Sequence, residues 1–511
     1  MNEDGDLSLK GFSHFLVTVS LMAATVMQSL DMTIANVALP RMQGALAATQ
    51  DEMGWVLTSY IIAAAIMLPL TGWLAGRFGR KRILLLSILG FTISSALCAA
   101  STTLPEIVAF RFLQGASGAA LVPLSQAVLF DINPREKHGS AMAVWGIGVT
   151  IGPILGPMLG GWLTDDYSWH WVFLINLPVG AMAMLGVAAS MPETKNGGRD
   201  FDFFGFVLLA VSIGAFQLFL DRGQLKDWFH STEIVLEAMT SLVALYCFLV
   251  HSATIDRPFL RPALFLDRNF VAANLIVFLI GAILFATLAL LPPMLQNEMG
   301  YPAMRSGFVM APRGVGSMIG MIVVGRMIGK IESRLIIGFG LLLTAIAQWQ
   351  MTKFDLMMGE APVVFTGIVQ GLGVGFVMVP LSTMAFDTLP PQLLDEGTTF
   401  YNLMRNIGSS IGISVVNALL IRDTQVVHSS LVESVTPFIA QEFTIGSRTF
   451  DLGTLQVMAS LDRTIGRHSA MIAYLDDFRL MMLVTLAIIP LLAFLRPAAR
   501  EPEKRRAVSI E

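Results

Sequence analysis

Runs of about twenty apolar residues, separated by short polar breaks, follow one another down almost the whole chain. A helix needs about 20 residues to cross the hydrocarbon core of a bilayer, so each run predicts one spanning helix. The predicted runs cover about residues 13–37, 54–75, 83–101, 106–130, 139–163, 171–190, 203–220, 232–251, 269–294, 306–324, 335–352, 362–386, 397–421 and 475–495, fourteen in all. The first follows MNEDGDLSLK, whose head is acidic and which leads into no small-residue cleavage pattern, so it predicts a retained spanning helix rather than a removable signal.

Composition agrees with this pattern. Of 511 residues, 54% are hydrophobic and only 14% charged, and the mean hydropathy is +0.68, as in membrane proteins rather than soluble ones. The net charge of −4 gives no footprint for nucleic acid. Cys98 and Cys247 both fall within apolar runs, which argues against a disulfide framework and against a metal site. An even number of spans puts both termini on one side. Lysine and arginine concentrate there, chiefly in GRFGRKR at Gly76–Arg82 and in EPEKRRA near the carboxyl end, so both termini are expected in the cytoplasm.

The chain carries an internal repeat. Gln114-Gly115 recurs at Gln370-Gly371, Phe130-Asp131 at Phe386-Asp387 and Pro134 at Pro390, all at an offset of 256 residues. The fourth run therefore maps onto the twelfth. The expected organisation is a first six-helix half over 1–200, two inserted helices over 201–252, and a second half over 253–511 that includes an external polar excursion at about 422–474. Parallel repeats of this kind are typical of secondary transporters that rock one half against the other around a midplane site. The segment Ser252–Asp267 mixes proline, arginine and apolar residues, as expected of a strip lying on the membrane interface and tethering the second half.

The fifth run holds the most distinctive backbone pattern. Gly148, Gly152, Gly156 and Gly160 are spaced by four, Gly161 follows, and Pro153 and Pro157 each succeed a glycine. Such a stripe lets a neighbouring helix come close, and each proline removes a helical hydrogen bond, so the run predicts either a hinge or a tight contact.

Charges at membrane depth are the candidate functional groups, because each costs about 2.5–3.5 kcal/mol at a helix centre and must face a cavity or a partner. Asp31 sits in SLDMTIANVALP with Gln28 one turn earlier, and Arg111 has Gln114 on its face. An acid whose surroundings change between two conformations can load a proton in one and release it in the other. Asp31 and Arg111 are therefore the proton-coupling candidates, with structural pairing near the external interface as the other reading. Asn402, Arg405, Asn406, Ser409 and Asn417 form a polar stripe in the thirteenth run, and Arg313 lies beside Pro312 in the tenth; Gln28, Gln114, Asn402, Arg405, Asn406, Ser409 and Arg313 are the cavity candidates. More arginines than acids at depth predict a cavity that favours neutral or weakly acidic lipophilic compounds over dications.

Several of these segments resemble signatures of the major facilitator superfamily. GWLAGRFGRKRIL resembles its loop signature between the second and third helices, with Gly72, Arg77, Gly79, Arg80 and Lys81 matching and Gly76 standing where an aspartate is usual. Asp131 in the next loop on that side is a candidate partner for this basic turn. RFLQGASGAA resembles the fourth-helix signature, and the glycine-proline run resembles the fifth-helix signature of antiporters. LDMTIANVALP is similar to the first-helix signature of fourteen-helix drug:proton antiporters, and FLDRGQLKDWF with NLMRNIGSSIG points to their EmrB group. The resemblance implies an all-α polytopic bundle of two six-helix halves plus two inserted helices. It also implies proton-driven export of lipophilic compounds by alternating access from the inner membrane, with docking to a periplasmic adaptor and an outer-membrane channel in Gram-negative members.

Other chemistries find little support. GSSIG at Gly408–Gly412 fits a nucleophile-elbow pattern but lies within an apolar helix, where the required strand and sharp turn are absent. No H-E-x-x-H or P-loop occurs, so the sequence predicts no metal centre, no nucleotide or other cofactor, and no enzyme. An exporter dedicated to one endogenous metabolite, lipid or siderophore would share every motif above.

Overall fold

Hydrocarbon offers the backbone no hydrogen-bond partner, so an apolar chain that enters it must satisfy its own amides as helix. The computed structural model describes residues 11–134, 137–193, 200–434, 444–445, 448–449 and 455–496. MNEDGDLSLK and EPEKRRA lie outside these residues. Among the described residues, fourteen helices are long and apolar enough to span a membrane. They are α1 (Phe12–Leu46), α2 (Glu52–Phe78), α3 (Arg80–Ala100), α4 (Leu104–Ile132), α5 (His138–Asp166), α6 (Trp171–Ser190), α7 (Phe203–Arg222), α8 (Thr232–Thr254), α9 (Arg268–Glu298), α10 (Met304–Met327), α11 (Ser333–Met351), α12 (Glu360–Phe386), α13 (Leu394–Glu433) and α14 (Met458–Phe494).

Polar residues at the breaks start and stop the helices. Thr49 and Glu52 form a reciprocal capping box at the start of α2, and Thr103 with Glu106 does the same for α4. Asp202 accepts a hydrogen bond from the Gly205 amide at the start of α7, and Asp267 accepts one from Phe270 at the start of α9. Gly79, at φ +96°, makes the sharp turn from α2 to α3, a backbone region open to glycine. The face of the bundle that carries this turn is called the basic face below.

Among the described residues of the polar excursion expected between α13 and α14, most are helical. Helix α13 continues to Glu433 and α14 begins at Met458, with a two-residue antiparallel strand pair, Thr444–Ile445 and Arg448–Thr449, between them. At 1.5 Å per residue, the 40 residues of α13 reach about 60 Å against about 40 Å for the 27 of α12. Hydropathy marks where a helix leaves the apolar layer, and a helix can go on in water past that point. His428 of α13 meets Asp462 of α14 at 3.1 Å across this projecting pair.

Helix α5 is the axis of the packing. It contacts α1 on one side and α10 on another, and both contacts depend on missing side chains. A Cβ at Gly152 would overlap the Ser29 carbonyl carbon, and one at Gly156 would strike Thr33. The close approach lets Thr33 donate to the Gly152 carbonyl at 3.1 Å. Gly148 meets Met22, and Gly160 meets Ile34 and Val37. On the α10 side, Gly314 receives Ile154, Gly307 receives Pro157, and Gly139 receives Ile328. Helix α5 stays helical through Pro153 and Pro157. Gly161 has open space where a Cβ would be, so it takes no part in these contacts.

The other helices follow two matching sets. Helix α2 packs on α4, α3 on α4 and α6, and α1 on α6; in the later chain, α9 packs on α13, α10 and α11 on α12, and α13 on α14. Helices α7 and α8 pack on each other, and α7 also touches α2 and α13. The strip after α8 folds back with Phe259 buried and Arg261 paired to Glu396 at 2.9 Å.

The α1–α5 contact predicts a graded response to added methyl groups. Gly152→Ala forces two backbones apart, at a cost of about 1–3 kcal/mol as for other overpacked cores, and should lower the unfolding temperature in detergent. Gly161→Ala in the same helix should leave it unchanged or raise it slightly. Equal behaviour of the two variants would remove the tight-contact role of the stripe.

Candidate functional site

Ser29 and Thr33, four residues apart, turn toward α5; Asp31, two residues from each, is rotated to the far side of α1. There it enters the interior formed by α3, α4 and α6. Arg111 Nη1 donates to Asp31 Oδ2 at 2.6 Å, while Gln114 Nε2 and Asn176 Nδ2 each donate to Oδ1 at 2.9 Å. Ser95 Oγ accepts from Gln114 at 3.1 Å and from Asn176 at 2.9 Å, and itself donates to the Phe173 carbonyl. Arg111 is further held by the Val56 carbonyl at 3.1 Å, by the Gln114 side-chain oxygen at 2.7 Å and by the face of Tyr60, 4.2 Å from the ring centre.

Asp31 is 0% and Arg111 1% exposed, so both charges have left water completely. Uncompensated, each would cost several kcal/mol; the dense set of charge-assisted hydrogen bonds is what makes the pair tolerable. Its hydrogen-bond and ring partners come from α1 to α4 and α6. Sequence reasoning reached Asp31, Arg111 and Gln114 but missed Ser95, Asn176 and Tyr60. An asparagine in the apolar stretch FLINLPVG was the readable signal for Asn176.

Gln28, the other candidate on this side of α1, does a different task. Helix α4 is interrupted after Gly118 and resumes at Leu121, and Gln28 Oε1 accepts the Val122 amide at 3.2 Å beside the break. The repeat shows how specific the charged site is to the first half. At the offset of 256 residues, Asp31 corresponds to Thr287 and Arg111 to Gly367, while Gln114 corresponds to Gln370. Gln370 donates to Thr287 at 3.2 Å, so the hydrogen bond persists where the charges do not.

The basic turn forms a second cluster. Arg80, 4% exposed, is ion-paired with Asp131 at the end of α4 and with Asp395 at the start of α13, the latter at 2.7 Å. One arginine thus joins the two repeats at the basic face. Gly72 lies under the same helix start, where a Cβ would be 3.2 Å from the Asp395 carbonyl oxygen. Position 76 is open space, and the arginine finds its carboxylates elsewhere. Lys81 donates to the Ala188 carbonyl at 2.8 Å, and Arg77 is exposed.

The remaining candidates lie between the two sets of helices. Asn402 donates to Gln126 of α4 at 2.9 Å, and Thr71 meets Thr399 at 3.1 Å. Arg405, 7% exposed, lies 5.8 Å from the Trp145 ring of α5, with Nε and Nη1 lacking hydrogen-bond partners. Arg313, also 7% exposed, gives Nη2 to the Leu284 carbonyl at 3.3 Å and leaves Nη1 without a partner. Asn406, next to Arg405, and Ser409, one turn further along, are half-buried, and Ser409 donates back to the Asn406 carbonyl.

Comparison with known proteins places this architecture. The family model of the Major Facilitator Superfamily matches residues 21–413. The multidrug export protein EmrB of Escherichia coli K12 is 34% identical over 494 residues, covering 96% of each chain. The fatty acid resistance protein FarB of Neisseria gonorrhoeae is 33% identical over 96% of this chain and 97% of its own. The human organic anion transporter MFSD10, at 15% identity, superposes with a TM-score of 0.59 over 93% of this chain and all of its own, which supports the fold. With its fourteen apolar helices, the chain is a multi-pass membrane protein that belongs to the Major Facilitator Superfamily, in its group of EmrB-like multidrug exporters.

Proposed function

We propose that this protein is a proton-coupled exporter of lipophilic compounds that works by alternating access. It lies in the inner membrane with the basic face and both termini in the cytoplasm, as the lysine and arginine bias supports. The observation that carries the coupling is the buried Asp31–Arg111 pair. A carboxylate held by a cation stays ionised, and one that loses its cation in a low-dielectric site takes up a proton. Separation of α1 from α4 in one conformation would exchange the arginine for a proton. The break in α4 beside Gln28 offers a joint for that movement.

Closure of the basic face supports the alternating part of the reading. Arg80, Thr71, Asn402 and Gly139 tie or pack the two sets of helices together on that side, so the path would open toward the opposite face. The projecting ends of α13 and α14 on that face provide a surface for a periplasmic adaptor leading to an outer-membrane channel.

The substrate class follows from Arg313 and Arg405. Buried guanidinium groups with unused donors repel a second cation and favour a group that can accept hydrogen bonds. Neutral or weakly acidic lipophilic compounds fit best, in keeping with a relative named for fatty acid resistance. An exporter dedicated to one endogenous compound would use the same residues, and a narrow substrate range in transport assays would identify it.

The Asp31–Arg111 pair also admits a structural role, which its enclosure among α1 to α4 and α6 favours. Reconstitution in liposomes separates the two. With Asp31→Asn, an imposed pH gradient should no longer accelerate substrate movement, a loss of at least about tenfold or 1.4 kcal/mol of driving force, while gradient-free exchange continues. Gradient-driven transport that persists in the variant would leave the pair as a structural tie.

A second expectation concerns selectivity. Arg313→Gln and Arg405→Gln should each reduce export of lipophilic acids relative to lipophilic cations, read as the ratio of initial rates in the same vesicles. Unchanged ratios in both variants would contradict the proposed substrate class.

A further inference from the structure

The charge pair of the first half has no charged equivalent at the repeat-related positions, yet the second half buries an acid of its own. Asp477 of α14 is 2% exposed, its Oδ2 has no hydrogen-bond partner, and no ion pair reaches it among the described residues. Helix α14 packs against α13, α11 and α9, and the ionisable groups those elements turn toward Asp477 are mostly acidic. Asp423 comes from α13, Asp476 lies next to it on α14, and Glu298 at the end of α9 shares Tyr474 as a neighbour with it. Lys353, just beyond α11, is stacked on Trp349 at 3.5 Å. Arg467 is engaged by the Glu298 backbone carbonyl at 3.1 Å. Arg479 and Arg422 are exposed.

A buried carboxylate oxygen without a donor is an unsatisfied anion, and neighbouring carboxylates add repulsion. Either a metal ion or a proton would relieve it. No group of three or more His, Cys, Asp or Glu close enough to hold a metal occurs among the described residues, so the chemistry that fits is a single proton. Asp477 lies 17 residues before the end of α14 at Phe494, and Asn176 of the Asp31 network lies 14 residues before the end of α6 at Ser190. Helix α14 is the counterpart of α6 in the repeat.

We propose that Asp477, with Asp423 and Asp476 beside it, is a second proton-binding site, in the second half of the protein. The proton adds to the unpartnered carboxylate oxygen, replaces the missing donor and removes one of the clustered negative charges. As a coupling site it rests on the proton-driven reading given above; as a proton-binding site it stands without it. Two protonatable acids, one in each half, would allow more than one proton per transport cycle.

The test is infrared spectroscopy of the purified full-length protein in lipid, following the carbonyl stretch of protonated carboxylic acids as the pH is stepped. The wild type and Asp31→Asn should show such a band at neutral pH, and Asp477→Asn should lose it. If Asp477→Asn does not fold, as judged by its melting curve, Asp423→Asn serves instead. It removes a repelling charge from a half-buried position and should weaken the band at neutral pH. A band that is unchanged in the folded Asp477→Asn, or in Asp423→Asn where that variant stands in, would overturn the proposal. Transport distinguishes the two readings: wild type that ignores a pH gradient refutes proton coupling and leaves the infrared result to decide the site alone.

Discussion

The close approach of α1 to α5 is the constraint from which much of the rest follows. Glycines at 148, 152, 156 and 160 strip one face of α5, and α1 settles onto backbone. That contact fixes the rotation of α1 about its axis: with Ser29 and Thr33 turned to α5, Asp31 has only the interior of the first half to enter. The same α5 presents Ile154 and Pro157 to glycines of α10. A single helix thus orients the buried acid and forms the seam between the two repeats.

Charge is satisfied differently at depth and at the basic face. The deep charges of the first half are paired and hydrogen-bonded, those of α10 and α13 keep unused donors, and Arg80 at the basic face is shared between carboxylates of both repeats. Removing one partner of a buried pair generally costs about 3–5 kcal/mol, enough to bias a two-state equilibrium strongly. The Arg80 cluster therefore ties the two repeats together at the basic face. Gly76, where the superfamily usually has an aspartate, is accommodated because Asp131 and Asp395 supply the charge.

Much of this was legible in the sequence. Run lengths gave the fourteen spans, the 256-residue offset gave the repeat, and an acid and an arginine in apolar runs pointed to the buried pair. Periodicity along one helix cannot show which side chains of distant helices meet, and for that reason Ser95, Asn176 and Tyr60 went unseen. Between α13 and α14 the sequence marks where the apolar runs end, because hydropathy reports the edge of the apolar layer and not the end of a helix. Asp477 was passed over for a related reason. It stands at the start of an apolar run, where an acid reads as an interface residue, and only the packing of α9, α11 and α13 around it shows its burial. The four-residue spacing of glycines left a hinge and a tight contact both open, and the position of α1 on that face is what shows the contact.

We propose that the two halves, closed at the basic face in this structure, rock about the α5 seam. Distances between spin labels test it most directly, in protein whose Cys98 and Cys247 have been replaced. One label pair at Phe78 and Gln392 spans the basic face, and another at Tyr167 and Met357 spans the opposite face; all four positions are exposed. On adding substrate or lowering the pH, the account predicts a new population in which the first pair is farther apart and the second closer together. Two distances that stay fixed under every condition, or that lengthen together, would contradict it.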